Sequence, residues 1–99
     1  MTNYSEWSFN LSELTKAIGH PVRIQILHEL TVDSCIVSEL MSKLEVEASL
    51  LSKHLAVLRE AGLIECDVEW RCRRYHLKNP QAVSAILEAL TSTLDGSRK

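Results

Sequence analysis

Residues 40–63 read LMSKLEVEASLLSKHLAVLREAGL, from Leu40 to Leu63. Two helix-periodic apolar segments meet in this stretch at a break near Glu45–Glu47. The first is Ile36, Val37, Leu40, Met41 and Leu44, and the second is Leu51, Leu55 and Leu58. The second stops at Ala61–Gly62, and glycine is a natural helix terminator. Two helices joined by about three residues make a helix-turn-helix. Turning Leu51, Leu55 and Leu58 inward leaves Ser49, Ser52, Lys53 and Ala56 on one outer face. Small polar residues around a lysine suit a helix that lies in a DNA major groove, against base edges and phosphates.

Moving outward, Leu63–Ile64 leads into ECDVEWRCRRYHL, residues 65–77. Strand-forming residues flank a polar centre, which predicts a hairpin. A helix-turn-helix (about 35–61) followed by a hairpin wing (about 63–77) is a winged helix. The expected fold is mainly α with a small β-hairpin, in the order ααααββα. Asn10 with Glu13 forms a capping-box pair for a first helix at about 10–19, after a loose arm over residues 1–8. His20–Pro21 starts a second, central helix carrying Val22, Ile24, Ile26, Leu27 and Leu30. Asp33 or Ser34 is positioned to cap the third helix. Asn79–Pro80 starts a last helix at about 80–94 with Val83, Ile86, Leu87, Leu90 and Leu94, ended by Gly96 and a frayed tail. A core this small covers only part of the terminal helices' apolar stripes, so a two-fold homodimer is expected. It would set two reading helices roughly 34–36 Å apart on DNA.

The blocks GHPVRIQILHEL (19–30), VSEL (37–40), LSKHLAVLREAGLI (51–64) and RRYHL (73–77) together resemble the ArsR/SmtB family of small dimeric repressors. The similarity runs over roughly residues 11–90 in the family's order and spacing. It implies a winged helix that dimerises through its terminal helices and binds operator DNA. Members usually carry a small polar residue where this chain has Glu47, and a small residue where it has Leu50. A carboxylate at Glu47 suits the helix dipole but repels phosphate.

Ninety-nine residues with 45% hydrophobic content allow one domain, 1–99. The net charge of −2 does not announce a nucleic-acid binder, but the charge is unevenly spread. Arg71, Arg73, Arg74 and Lys78 follow one another without an acid. Ser49, Ser52, Lys53 and His54 are the expected groove contacts, and Arg71, Arg73 and Arg74 the expected wing contacts. His54 has the alternative of a buried, hydrogen-bonded ring. Arg73 and Arg74 alternate across the hairpin, so one of them should face DNA. Trp70 sits near the hairpin tip with no role that can be ranked. The N-terminus lacks a signal-peptide pattern and no apolar run reaches the ~18 residues of a membrane span, so a cytoplasmic chain without membrane contact is expected. No catalytic constellation is present: there is no Cys-x-x-Cys, no nucleophile with a base and no phosphate loop.

Three cysteines, Cys35, Cys66 and Cys72, suit reduced thiols better than a disulfide framework. Two metal sites familiar in the resembling family are not intact here. Its Cys-x-Cys positions fall on Ile36 and Ser38, and the last helix (Pro80–Leu94) holds no histidine. The sequence therefore requires no cofactor. It offers instead a possible thiophilic effector, arsenite-like or cadmium-like, held by Cys35, Cys66 and Cys72. A three-residue turn (68–70) would oppose Cys66 to Cys72; a two-residue turn (69–70) would put them on opposite sides. The first arrangement lets a ligand tie both thiols and distort the wing. A thiol-redox or persulfide switch, incidental cysteines, and a winged helix used for protein contacts are the alternatives. His20, His28 and His76 are scattered, and read as structural.

Overall fold

The computed structural model describes residues 4–97. The order is α1 (Glu6–Ile18), α2 (Pro21–Val32), β1 (Cys35–Ile36), α3 (Val37–Leu44), α4 (Ala48–Glu60), β2 (Ile64–Glu69), β3 (Cys72–Leu77) and α5 (Pro80–Ser97). This is a winged helix-turn-helix. The strands form one antiparallel sheet in the order β1-β3-β2. Among the described residues no helix is long and apolar enough to cross a membrane.

Ile26 and Leu27 of α2, Leu40 of α3 and Leu51, Leu55 and Leu58 of α4 are almost wholly buried. Each such side chain contributes roughly 1.5–3 kcal/mol through lost apolar exposure. Ile64, Tyr75 and Leu77 close this core from the sheet, and Val83 from α5. Ile24, counted in the apolar set of the central helix α2, faces outward.

Local chemistry explains most boundaries. His20 caps α2, its Nδ1 accepting from Val22 N at 3.1 Å, with Pro21 in the first turn. Asn79 Oδ1 accepts from Ala82 N at 3.1 Å ahead of α5. At the end of α4, Leu63 N donates to Leu58 O at 3.0 Å while Gly62 takes φ 79°. That is the left-handed residue a helix terminus of this kind requires.

Four sequence expectations are corrected. The first helix begins at Glu6, because Ser5 Oγ accepts from Ser8 N at 3.1 Å; Asn10 lies inside the helix and caps nothing. Residues 5–8 of the expected arm are therefore cap and helix, and residues 1–3 lie outside the described set. Neither Asp33 nor Ser34 caps α3: the Glu39 carboxylate accepts from Ile36 N at 2.9 Å, reaching back over one turn. The two-residue strand β1 was not expected. It pairs Cys35 with Tyr75 and Ile36 with Arg74, too short a run to show strand alternation. Finally, α5 passes through Gly96 to Ser97, so Ser97 is helical rather than tail, and Arg98 and Lys99 lie outside the described residues.

Candidate nucleic-acid interface

The reading helix α4 is set by a three-residue turn. Glu45 adopts φ 53° and ends α3, Val46 is half-buried, and Glu47 precedes α4. Glu47 makes no capping hydrogen bond; its carboxylate instead accepts from the Ser49 hydroxyl at 2.8 Å. Ser49 is exposed but already engaged. Ser52 and Lys53 are exposed on the outer face, as the inward spacing of Leu51, Leu55 and Leu58 dictates. Leu50 is also exposed.

His54 does not join them. It is buried, with Nδ1 3.2 Å from Arg23 Nη1 and its ring centroid 4.3 Å from that of His20. Its position three residues after Leu51 and one before Leu55 turns it onto the core side of α4. Desolvation, followed by the neighbouring His20 and Arg23, lowers its pKa from the ordinary imidazole value. Arg23 was not singled out from sequence. Its Nε donates to Ala17 O at 2.6 Å and its Nη2 to Lys16 O at 3.4 Å, capping the end of α1. No local pattern around Arg23 announces a contact that spans 31 residues to His54.

The wing is a hairpin with Trp70 and Arg71 as its turn, since Glu69 pairs with Cys72. Both expected registers are corrected by this pairing. Cys66 opposes Tyr75 and Cys72 opposes Glu69, so the two cysteines lie on opposite faces of the hairpin. A ligand tying them within one wing has no geometry to use. Arg71 and Arg73 are exposed, and Arg73 shares its face with Val68. Arg74 is the correction among the cations. It is half-buried, with Nε 3.0 Å from Glu69 Oε1 and Nη1 3.9 Å from Glu39 Oε1. Those acids hold its pKa above the ordinary arginine value. The interface thus presents Ser52 and Lys53 on α4 with Arg71 and Arg73 at the wing, while His54 and Arg74 turn inward. Trp70 stands at the tip, 91% exposed and at φ 57°.

The three cysteines are also separated. Cys35 and Cys66 flank Tyr75 from either side, two strand spacings or roughly 9.6 Å apart. A disulfide needs Cα atoms within about 4.4–6.8 Å. Cys35 is buried, and burial raises its pKa although Lys43 Nζ lies 3.8 Å from Sγ. Among the described residues no three His, Cys, Asp or Glu side chains are gathered to hold a metal. A three-thiolate site within one chain does not fit this arrangement.

Helix-turn-helix, wing and exposed cations together define a winged helix-turn-helix domain of the nucleic-acid-reading kind. Residues 20–65 match the profile described as bacterial regulatory protein, arsR family. The chain is 40% identical over 77 residues to the transcriptional activator HlyU of Vibrio cholerae, covering 78% of this chain and 70% of HlyU. It is 35% identical over 77 residues to the biofilm growth-associated repressor of Agrobacterium fabrum, covering 78% of this chain and 65% of that repressor. The solved structure of Mycobacterium tuberculosis Rv0081 superimposes with a TM-score of 0.85 at 28% identity, covering 95% and 94% of the two chains. HlyU superimposes at 0.80 with 36% identity, covering 91% and 97%. The chain belongs to the arsR family of bacterial regulatory proteins.

Proposed function

We propose that this chain is a homodimeric, sequence-specific DNA-binding repressor of transcription, acting in the cytoplasm. The observation that carries the reading is the placement of Ser52 and Lys53 on the exposed side of α4 with Arg71 and Arg73 exposed at the wing. Lys53 and the wing arginines neutralise phosphates, and Ser52 meets a base edge or a phosphate. Exposed Trp7, Phe9 and Leu11 on α1 and Leu90 on α5 support the dimer, because a two-fold contact buries such a face twice. Repression rather than activation follows the Agrobacterium relative; HlyU carries the opposite description.

The effector we propose is a thiophilic metal or metalloid, arsenite-like or cadmium-like, held by thiolates of more than one chain. Exposed Cys72 and half-buried Cys66 are the accessible donors. The competing reading is a thiol-redox or persulfide switch, favoured by the HlyU relative, which has been solved in a form described as reduced. A winged helix devoted to protein contacts is a third reading, favoured by the Glu47 carboxylate that occupies Ser49.

Fluorescence anisotropy of a fragment from the protein's own promoter separates these. Reduced protein should bind it, and one equivalent of arsenite or cadmium should release it. Release by a mild oxidant alone selects the redox switch. Absence of specific binding selects the protein-contact module.

A further inference from the structure

His54 lies on the inner side of α4, and the DNA interface makes no use of it. The residue is only 7% exposed. The partner of Nδ1 is a guanidinium, Arg23 Nη1 at 3.2 Å, and a guanidinium can only donate. Nδ1 therefore carries the lone pair, and the neutral ring carries its proton on Nε2. Nε2 is buried without a hydrogen-bond partner among the described residues. Arg23 meanwhile holds the carbonyls of Ala17 and Lys16 at 2.6 and 3.4 Å. One side chain thus ties the end of α1 to the middle of the reading helix.

We propose that Arg23 and His54 are positioning residues that fix α4 against α1 only while His54 is neutral, so that a proton on His54 releases DNA. This rests on the DNA-binding reading above. A protonated ring donates from both nitrogens, so Nδ1–H would meet an N–H of Arg23 and cation would face cation. The charged and titratable groups facing the ring are Arg23 of α2 and His20, the cap of that helix. From α1 come backbone carbonyls, and those are taken by Arg23. Neither α3 nor β2, which also pack on α4, brings a charged side chain to the ring among the described residues. No carboxylate is there to offset the new charge. His20 has no slack to respond, since its Nδ1 is committed to Val22 N. Ser52 and Lys53 directly precede His54, so a displacement at His54 moves the groove-facing residues. The tie also reaches α1, the helix whose outer face we assign to the dimer.

The direction of the effect is diagnostic. Acid ordinarily tightens protein–DNA binding, because each added proton is another cation near phosphate. Here acid should weaken it. The test is anisotropy on the promoter fragment at about pH 7.5 and about pH 5.5, comparing wild type with His54→Asn. Asparagine offers Oδ1 to Arg23 near the place of Nδ1 and does not titrate. Wild type should lose at least about twofold in affinity on acidification, within the roughly tenfold that an imidazole at its ordinary value could lose over this interval, whereas the variant should stay nearly flat and match wild type at the higher pH. Identical pH profiles for the two proteins would overturn the proposal. NMR of ¹⁵N-labelled imidazoles in wild type supplies an arm that needs no DNA. It should find the neutral proton on Nε2, and protonation should shift the Ala17 and Ile18 amides together with His54. A neutral proton on Nδ1, or a titration that leaves the end of α1 unmoved, overturns the tie. No promoter binding by wild type at about pH 7.5 overturns the DNA-binding reading, and the release claim with it.

Discussion

Arg74 Nε donates to Glu69 Oε1 at 3.0 Å, diagonally across the wing and on the same face of the hairpin. Its neighbour Arg73 points to the other face and is exposed. Two adjacent arginines therefore sit differently: Arg74 braces the wing against Glu69 and the start of α3, and Arg73, on the proposed reading, meets phosphate.

Separate alanine substitutions should display that division. Arg73→Ala and Arg71→Ala should each lower the slope of log affinity against log salt by about two, roughly one for each subunit of the proposed dimer, with the fold's melting temperature unchanged. Arg74→Ala should lower the melting temperature and leave the salt slope nearly intact. A salt-slope loss for Arg74→Ala equal to that for Arg73→Ala would contradict the assignment.

The dimer prediction uses the face left open by α1 and α5. Wild type should run on light scattering at twice the 11.2 kDa chain mass. Trp7→Glu combined with Leu90→Glu places charge on both helices and should give a monomer with unchanged helix content. DNA affinity should then fall at least about tenfold, because two linked half-site contacts become independent. A monomeric wild type, or a variant that stays dimeric, counts against this surface.

Much of this architecture was readable from the chain. Leu51, Leu55 and Leu58, with Gly62 at the end, placed α4 because a thirteen-residue helix repeats its apolar signal several times. His20–Pro21 and Asn79–Pro80 announced their helices through side-chain chemistry that acts within three residues. The misses have two physical causes, contact across distance and competition between equally good local patterns. β1 exists only because Tyr75 and Arg74 lie beside it. The Ser5 cap was hidden because Asn10–Glu13 carried an equally good local pattern. Within the candidate interface, Ser52 and Lys53 followed from helical geometry. The inward turn of Arg74 depended on Glu39 and Glu69; that of His54 was legible in its spacing from Leu51 and Leu55, and only its distant partner Arg23 was not. The hairpin register was two-residue, as one alternative held, but shifted by one position, because strand residues alone do not say where the turn begins.

Thiol reactivity should follow burial. Limited alkylation of the native protein should modify exposed Cys72 first, half-buried Cys66 next and buried Cys35 last. Burial raises the Cys35 pKa and withholds its thiolate despite nearby Lys43. Mass spectrometry of a time course reads the order directly. Early labelling of Cys35 would mean that β1 separates readily from β3, against the burial of Cys35.

Stability should fall on the acid side. Folding lowers the His54 pKa, chiefly by desolvation, whereas the unfolded chain takes up a proton near the ordinary value of 6.5. Below that pH the unfolded state binds more protons, so this contribution is present above about pH 6.5 and is lost as pH drops. Wild type should show a lower melting temperature at about pH 5.5 than at about pH 7.5, and His54→Asn should show a smaller drop. An equal drop in both proteins would place the acid sensitivity elsewhere.

The central claim is that α4 and the wing read specific DNA. Competition anisotropy with the promoter fragment against a scrambled fragment of equal length tests it most directly. The account predicts that the promoter binds at least about 10³-fold more tightly, with log affinity falling linearly as log salt rises. Equal affinity for both fragments, or binding indifferent to salt, would contradict it.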